Sequence, residues 1–237
     1  MLHGTDQSGE ARPLVGVETE LQYLQRCIQP LQDGKFGGLI YINGEPGMGK
    51  TRLAEEFRQR VLRSSTAKWF TCTTDGILGQ SRHPFRSFLR QYFDQDIAGS
   101  VEENKVRFDR AVDGLLAKLE TTGHGQLKGE LEQSRSALAA LIDLRWAGSS
   151  YERLEPTLRF QVALSAFAVL LAAESVQQPV IIHIEDAHSL DADSQEQLRV
   201  LARYAGPYRL AILLTSRYQD NGTRFRVEVD PWMPERS

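Results

Sequence analysis

Residues 38–51 read GLIYINGEPGMGKT, and this stretch decides the fold. The part from Gly38 to Asn43 is a run of β-forming apolar residues, which is typical of a buried strand. After the loop that follows it, Leu53, Phe57 and Val61 recur every four residues and predict a helix. The loop itself fits the pattern GxxxxGK[ST] and consists of Gly44, Glu45, Pro46, Gly47, Met48, Gly49, Lys50 and Thr51.

A glycine-rich loop between a buried strand and a helix has the chemistry of a phosphate cradle. Its glycines let backbone N–H groups turn inward, and the helix N-terminus adds partial positive charge. Lys50 can reach the β- and γ-phosphates of a nucleotide, and the Thr51 hydroxyl can ligate Mg²⁺. We therefore predict that residues 44–52, including Arg52, bind a nucleotide, with Lys50 as a catalytic residue.

The remaining sequence alternates between strand and helix patterns. Apolar runs predict strands at Lys68 to Thr73, Pro179 to Ile184 and Leu210 to Leu214, and a fifth strand at Phe225 to Val229. Helical spacing joins Leu21, Leu24, Ile28 and Leu31, and recurs from Thr157 to Ala173 and from Asp193 to Tyr204. This order predicts an α/β fold, a P-loop NTPase whose mostly parallel sheet of about five strands is covered by helices on both faces.

Domain organisation follows from changes in this pattern. We expect one domain over residues 13–237, preceded by a polar, disordered tail at residues 1–12. Residues 95–150 contain two amphipathic helices and are interpreted as a helical insertion. Residues 82–90 mix aromatic and basic side chains, which is also found in nucleic-acid surfaces. Because Phe85, Phe88, Leu89 and Tyr92 share one helix face, the spacing favours packing instead.

Two acids follow the third predicted strand. Glu185 and Asp186 would lie at the carboxyl edge of the sheet, where open α/β folds bind ligands. A phosphate loop needs one acid near Mg²⁺ and, for hydrolysis, a base that orients water. We predict these two roles for the pair, and expect Arg217, after the fourth strand, to reach the γ-phosphate. His188 either contacts this site or caps its loop, whereas His183 is predicted to be a core residue.

Composition excludes several classes of function. The formal charge of -3 and a pI near 6.0 give no global field that draws the chain to nucleic acid or an anionic membrane. Cys27 and Cys72 lie far apart, which argues against a disulfide scaffold or a zinc site. The polar N-terminus has no apolar segment of a signal peptide. We expect a cytoplasmic protein.

With these motifs in view, the chain resembles the ATPase module of STAND proteins. This is the signal-transduction branch of P-loop ATPases, in the AAA-like form found in large bacterial regulators. The resemblance covers most of residues 13–217. Residues 13–21, PLVGVETEL, are similar to its opening box, with Val17 where the family has arginine. Residues 185–191, EDAHSLD, are similar to its DDxHxxD strand end, with Glu185 in place of the first aspartate, and residues 215–217 are similar to its sensor strand.

The resemblance implies ATP or ADP and Mg²⁺ as ligands, with Val15 and Gly16 against the adenine. It makes Glu185 the acid on the metal side, together with Thr51 as metal ligand, Asp186 the candidate base and Arg217 the sensor. Family members exchange ADP for ATP on a signal and oligomerise through attached domains. Only about twenty residues follow the sensor strand, so we expect the lid, sensor and effector domains to be absent and the ATPase to be slow.

Two alternatives stay open. The first is a nucleotide-holding interaction module with little hydrolysis. The second is an AAA+ DNA loader of the replication-initiator type, which shares the opening box and the phosphate loop. The balanced charge argues against direct DNA binding by this domain. Expected partners are an adenine nucleotide and either other proteins or further copies of the chain, and no membrane.

Overall fold

The computed structural model describes residues 16–74, 83–219 and 222–237. Its strands form one sheet in the order β2-β3-β4-β1-β5, and every pairing is parallel. Parallel neighbours need long crossover connections, so the carboxyl ends of the strands meet at one edge of the sheet. The strands are β1 (Gly38–Asn43), β2 (Lys68–Thr73), β3 (Val180–Glu185), β4 (Leu210–Ser216) and β5 (Glu235–Arg236).

Helices cover both faces of this sheet. Within the ranges that the structure describes they are α1 (Glu18–Cys27), α2 (Lys50–Arg63), α3 (His83–Tyr92), α4 (Val101–Thr121), α5 (Gly125–Leu141), α6 (Pro156–Gln177) and α7 (Ala192–Tyr204). Strand β1 shows how the two faces are filled, because side chains alternate along a strand. Leu39 and Tyr41 join the core with α3 to α7, and Ile40 and Ile42 join the core with α1 and α2. The predicted α/β architecture is confirmed.

Helix α6 lies at the centre of the larger core. Its residues from Ala163 to Ser175 are almost all buried, and it packs mainly against α5 and α7. In the described part of the chain it is the one helix long and apolar enough to cross a membrane by length and composition. Over half of its most apolar stretch, 56%, is buried inside the protein. Its apolar character is therefore accounted for by packing.

The two helices predicted in residues 95–150 are α4 and α5. Helix α4 begins with a capping box, in which the Ser100 hydroxyl accepts from the Glu103 N–H and the Glu103 carboxylate accepts from the Ser100 N–H. Arg135 of α5 donates to Asp109 and Asp113 of α4 and ties the two helices together. Helix α5 then packs along α6, so this helical region shares the core of the sheet.

The prediction of a fifth strand at Phe225 to Val229 is wrong. Phe225 and Val227 are buried and Arg226 is exposed, so the alternation that suggested a strand is real. The Val227 N–H, however, donates to the Tyr41 hydroxyl at 3.3 Å and makes no ladder bond. The free edge of β1 is paired instead with β5, through Leu39↔Glu235 and Ile40↔Arg236. An extended segment can alternate in burial without joining a sheet.

Three further expectations concern the ends and faces of helices. Helix α7 begins at Ala192, one residue before the predicted start at Asp193, because Asp191 is its cap and accepts from the Ser194 N–H at 2.7 Å. The apolar face of residues 82–90 packs as predicted, since Phe85, Phe88 and Leu89 of α3 are all buried. The first helix is also confirmed, with Leu21, Leu24, Ile28 and Leu31 buried along α1 and the short turn after it.

Candidate nucleotide site

The loop between β1 and α2 depends on glycine at two positions. Gly47 and Gly49 both have φ of 82°, a left-handed conformation that side chains rarely adopt. Gly49 also caps α2, whose first turn contains no acidic side chain. The N–H groups of that turn therefore keep the partial positive charge that attracts anions. The loop lies between a buried strand and a helix, as the sequence pattern predicts.

Lys50 holds this loop together in the structure. Its ammonium donates to the Gly44 carbonyl at 2.7 Å and to the Glu45 carbonyl at 2.9 Å. Residues 45–48 are exposed, as are Thr51 and Arg52, so this part of the loop faces solvent. The loop is also joined to the end of β4, because the Gly44 N–H donates to the Ser216 carbonyl at 3.2 Å.

The two predicted acids lie at the carboxyl end of β3. Glu185 is the last strand residue, and Asp186 has φ 48° and ψ 46°, the left-handed conformation. Non-glycine residues in this conformation concentrate at functional sites, where the surrounding structure holds them in place. The turn exposes the Asp186 carboxylate while the strand keeps Glu185 partly buried.

Two threonines hold this turn, Thr73 at the end of β2 and Thr74 directly after it, and the sequence analysis did not identify them. The Thr73 hydroxyl donates to the Glu185 carboxylate at 3.2 Å. The Thr74 hydroxyl lies 2.9 Å from the Glu185 carbonyl and 3.1 Å from the Asp186 carbonyl. The sequence does place Thr73 at the end of a predicted strand. That this strand pairs with the strand of the acids is seen only in the structure, because strand order cannot be read from the chain. Both threonines fix the acids from the neighbouring strand.

His188 connects the acid-bearing turn to the end of β4. Its Nδ1 accepts from the Arg217 backbone N–H at 3.4 Å and lies 3.9 Å from Asp186 Oδ1. Burial lowers the pKa of His188, the Arg217 and Lys50 charges lower it further, and Asp186 opposes them. An Nδ1 that accepts must carry no proton, so the ring is neutral with its proton on Nε2. The structure thus brings His188 to the site and uses it to join two strand ends.

His183 lies inside the protein, as predicted. It is 3% exposed and packs edge-on against Trp69, and its Nε2 is 3.2 Å from the Thr215 hydroxyl. Burial lowers the pKa of His183 to about 4, although Glu55 partly opposes this shift. The imidazole is therefore a neutral core group that links β3 to β4.

A cavity of about 440 Å³ lies beside the phosphate loop. Residues at both ends of the loop line it, because Asn43 directly precedes Gly44 and Leu53 follows Thr51 by two residues. Its other walls come from α1, β1 and the segment after β4, and include Thr19, Tyr23, Leu24, Tyr41, Tyr218 and Arg224. Its size and mixed lining are those of a small-molecule pocket.

The opening box and the metal ligands can be placed only in part. Val15 lies outside the described residues, whereas Gly16 has φ of 93° and is exposed. In the described ranges, no cluster of three or more His, Cys, Asp or Glu side chains could hold a metal ion. The oxygen donors of Thr51 and Glu185 still suit Mg²⁺, which is held by one or two protein oxygens together with phosphates and water.

The sheet order, the glycine loop with its lysine and the acids on β3 define a P-loop NTPase. The model of the AAA ATPase domain family matches residues 13–213. The chain belongs to this AAA ATPase domain family.

Other comparisons give weaker similarities. An uncharacterized protein of Rhizobium meliloti (strain 1021) is 24% identical over 212 residues, which are 86% of this chain and 18% of that protein. Two solved structures are similar over 90% of this chain. Cdc6p from Pyrobaculum aerophilum has 13% identity and a TM-score of 0.47, with 41% of its chain covered. The Aeropyrum pernix ORC2 protein, in ADPNP–ADP complexes, has 14% identity, a TM-score of 0.45 and 43% of its chain covered. The chain therefore spans less than half the length of each.

Proposed function

We propose that this chain is a nucleotide-dependent signalling switch of the STAND type, which binds ATP or ADP with Mg²⁺ and hydrolyses ATP slowly. The position of Lys50 on the loop that joins the ends of β1 and β4, at the same carboxyl edge of the sheet as the acids that end β3, carries this proposal. A phosphate placed on the loop would meet a cation, a helix N-terminus and an acid at one sheet edge.

The proposed roles follow from the position of each side chain. Lys50 donates to the β- and γ-phosphate oxygens, and Thr51 and Glu185 supply the oxygen ligands for Mg²⁺. Mg²⁺, when bound, neutralises the charge that develops on the phosphates. Asp186 accepts a proton from the attacking water, whose oxygen forms the new bond to the γ-phosphorus as the bond to ADP breaks.

A switch also needs a path from the phosphates to the rest of the protein. The contact between Arg217 N–H and His188 Nδ1 joins the sensor strand to the turn that carries Asp186. We propose that Arg217 reads the γ-phosphate and transmits its presence through this contact. Protein partners or further copies of the chain would receive the signal, and the two free, buried cysteines support a location in the reducing cytoplasm.

Calorimetry with ATP, ADP and Mg²⁺ tests the binding step. Lys50→Ala should lose binding at least a hundredfold, because the loop lacks its cation, whereas Lys118→Ala, at an exposed position of α4, should bind like the wild type. Equal binding by the wild type and Lys50→Ala contradicts the proposal.

Phosphate release tests hydrolysis separately. Asp186→Asn should bind nucleotide within threefold of wild type and lower turnover by about a hundredfold, as expected for loss of a general base. Unchanged turnover in this variant would favour the nucleotide-holding interaction module over the ATPase.

A further inference from the structure

The Nδ1 atom of His188 lies between two groups that require opposite protonation states. The Arg217 backbone N–H donates to this nitrogen at 3.4 Å, and Oδ1 of Asp186 lies 3.9 Å from the same nitrogen. A bare Nδ1 accepts a hydrogen bond from an N–H group, whereas a protonated Nδ1 donates one to a carboxylate. One proton on this atom therefore decides which of its two neighbours His188 binds.

The contacts of His188 leave room for this exchange. Hydrogen bonds in proteins are most often shorter than about 3.2 Å, so the bond from the Arg217 N–H is a long one. The Asp186 oxygen stands less than about 1 Å beyond that distance. His188 is half-buried on the short turn Ala187–Ser189, which packs against β4. A displacement of Nδ1 by about 1 Å is sufficient to exchange one partner for the other.

The charged groups around His188 include the two cations that the proposed function assigns to the phosphates. Burial lowers the pKa of His188, Asp186 raises it, and Arg217 and Lys50 lower it further; in the described part of the chain these are the charges that act on it. Phosphates bound to Lys50 and Arg217 would neutralise both positive charges and leave the Asp186 charge in place. Mg²⁺ offsets only part of the negative charge of ADP or ATP. A bound nucleotide therefore favours the protonated form of the imidazole.

We propose that His188 is a positioning residue that changes its hydrogen-bond partner when nucleotide binds. Its Nδ1 takes up one proton from solvent, releases the Arg217 N–H and donates to the Asp186 carboxylate. The inference rests on the proposed function, because it requires phosphates on Lys50 and Arg217. The exchange separates the end of β4 from the turn that carries Asp186, and it holds the proposed base in its ionised form beside a cation.

NMR of the histidine rings measures this proton uptake directly. Wild-type protein with isotope-labelled histidines is titrated from about pH 8 to about pH 5, without ligand and with Mg²⁺ and saturating ADPNP, an ATP analogue that resists hydrolysis. The signals of His188 are those that are missing from His188→Asn. We expect bound ADPNP to raise the titration midpoint of His188 by about one pH unit, the size typical of a change in one neighbouring charge. His124, which is exposed next to the start of α5, should keep its midpoint.

Calorimetry measures the same coupling as a pH dependence of affinity. Because the protonated ring favours the bound state, the Kd for ADPNP should fall as the pH falls. The fall between about pH 8 and about pH 6 should be about fivefold larger in the wild type than in His188→Asn. The amide oxygen of this variant can still accept from the Arg217 N–H, but the amide takes up no proton. His124→Asn is the matched control and should keep the pH dependence of the wild type.

The outcomes separate the partner exchange from the proposed function. If the wild type binds no ADPNP at any pH, the proposed function itself fails. If ADPNP binds and the midpoint of His188 does not rise, nucleotide binding stands and the exchange is overturned. The exchange is also overturned if His188→Asn keeps the wild-type pH dependence. His188→Gln replaces His188→Asn in both experiments if circular dichroism shows that the first variant is unfolded.

Discussion

At the scale of single residues, uncharged groups position the charged side chains of the site. Backbone carbonyls accept from Lys50, and the Thr73 hydroxyl donates to Glu185. The motif pattern could predict Lys50, Thr51 and the two acids, because these residue types are required for phosphate chemistry. It could not predict Thr73, since the bond from its hydroxyl to Glu185 exists only when β2 and β3 lie side by side. Residues that act through a neighbour leave little trace in a linear pattern.

Thr73→Val should therefore lower turnover without lowering affinity. The substitution keeps the shape and removes the hydroxyl that fixes the Glu185 carboxylate. We expect a several-fold decrease in kcat, the size of effect expected for loss of one hydrogen bond to a charged group, and a Kd for ADP within twofold of wild type. Thr121→Val, on the exposed end of α4, is the matched control. A kcat equal to that of this control would show that the Thr73 contact is irrelevant to turnover.

The buried imidazole of His183 gives the fold a measurable response to acid. Its pKa is about 4 in the folded protein and about 6.5 in the unfolded chain, so the unfolded state takes up the proton first as pH falls. The free energy of unfolding should decrease between pH 6.5 and 4, by up to about 3 kcal/mol from this group. Urea denaturation should show this loss in wild type and in His124→Gln, but a shallower loss in His183→Gln. Parallel pH profiles for all three proteins would contradict the assignment.

At the scale of elements, the strands with long apolar runs were predicted correctly, whereas the short strand β5 at the edge of the sheet was not. The run from Gly38 to Ile42 contains no charged residue and is buried throughout, because β1 is covered on both faces. Strand β5 has only two residues, Glu235 and Arg236, and neither is apolar. Its pairing depends on where the chain passes β1, which periodicity does not encode. The segment at Phe225 to Val229 had the better pattern and lies outside the sheet.

Substitution of Gly38 tests how closely the chain packs at the edge between β1 and β5. It has φ of 89°, and a Cβ at this position would lie 2.2 Å from the Pro234 carbonyl oxygen. Gly38→Ala should destabilise the protein by about 2 kcal/mol or more, through both backbone strain and displacement of β5. Gly114→Ala is the matched change, because its Cβ would meet no atom within 4 Å on helix α4. That variant should be more stable by about 0.5–1 kcal/mol, and urea denaturation measures both.

At the scale of the whole molecule, a ligand that binds only the folded state must raise its stability. At a nucleotide concentration one hundred times the Kd, the gain is about 2.7 kcal/mol. For a chain of 237 residues this corresponds to a rise in Tm of about 5–10 °C. Thermal scans with Mg²⁺ and ADP should show the rise in wild type and none in Lys50→Ala. A rise of equal size in that variant would place the nucleotide elsewhere.

The contacts of Lys50 make nucleotide binding an exchange of partners. An ammonium group has three protons, and in this structure the carbonyls of Gly44 and Glu45 accept two of them. An arriving phosphate therefore competes with the backbone for the same cation, and the observed affinity reports the difference between two sets of bonds. Substitution of Lys50 by alanine then alters the reference state too, since both carbonyls lose their donor before any nucleotide is added. The melting temperature of the ligand-free variant would measure that second effect by itself.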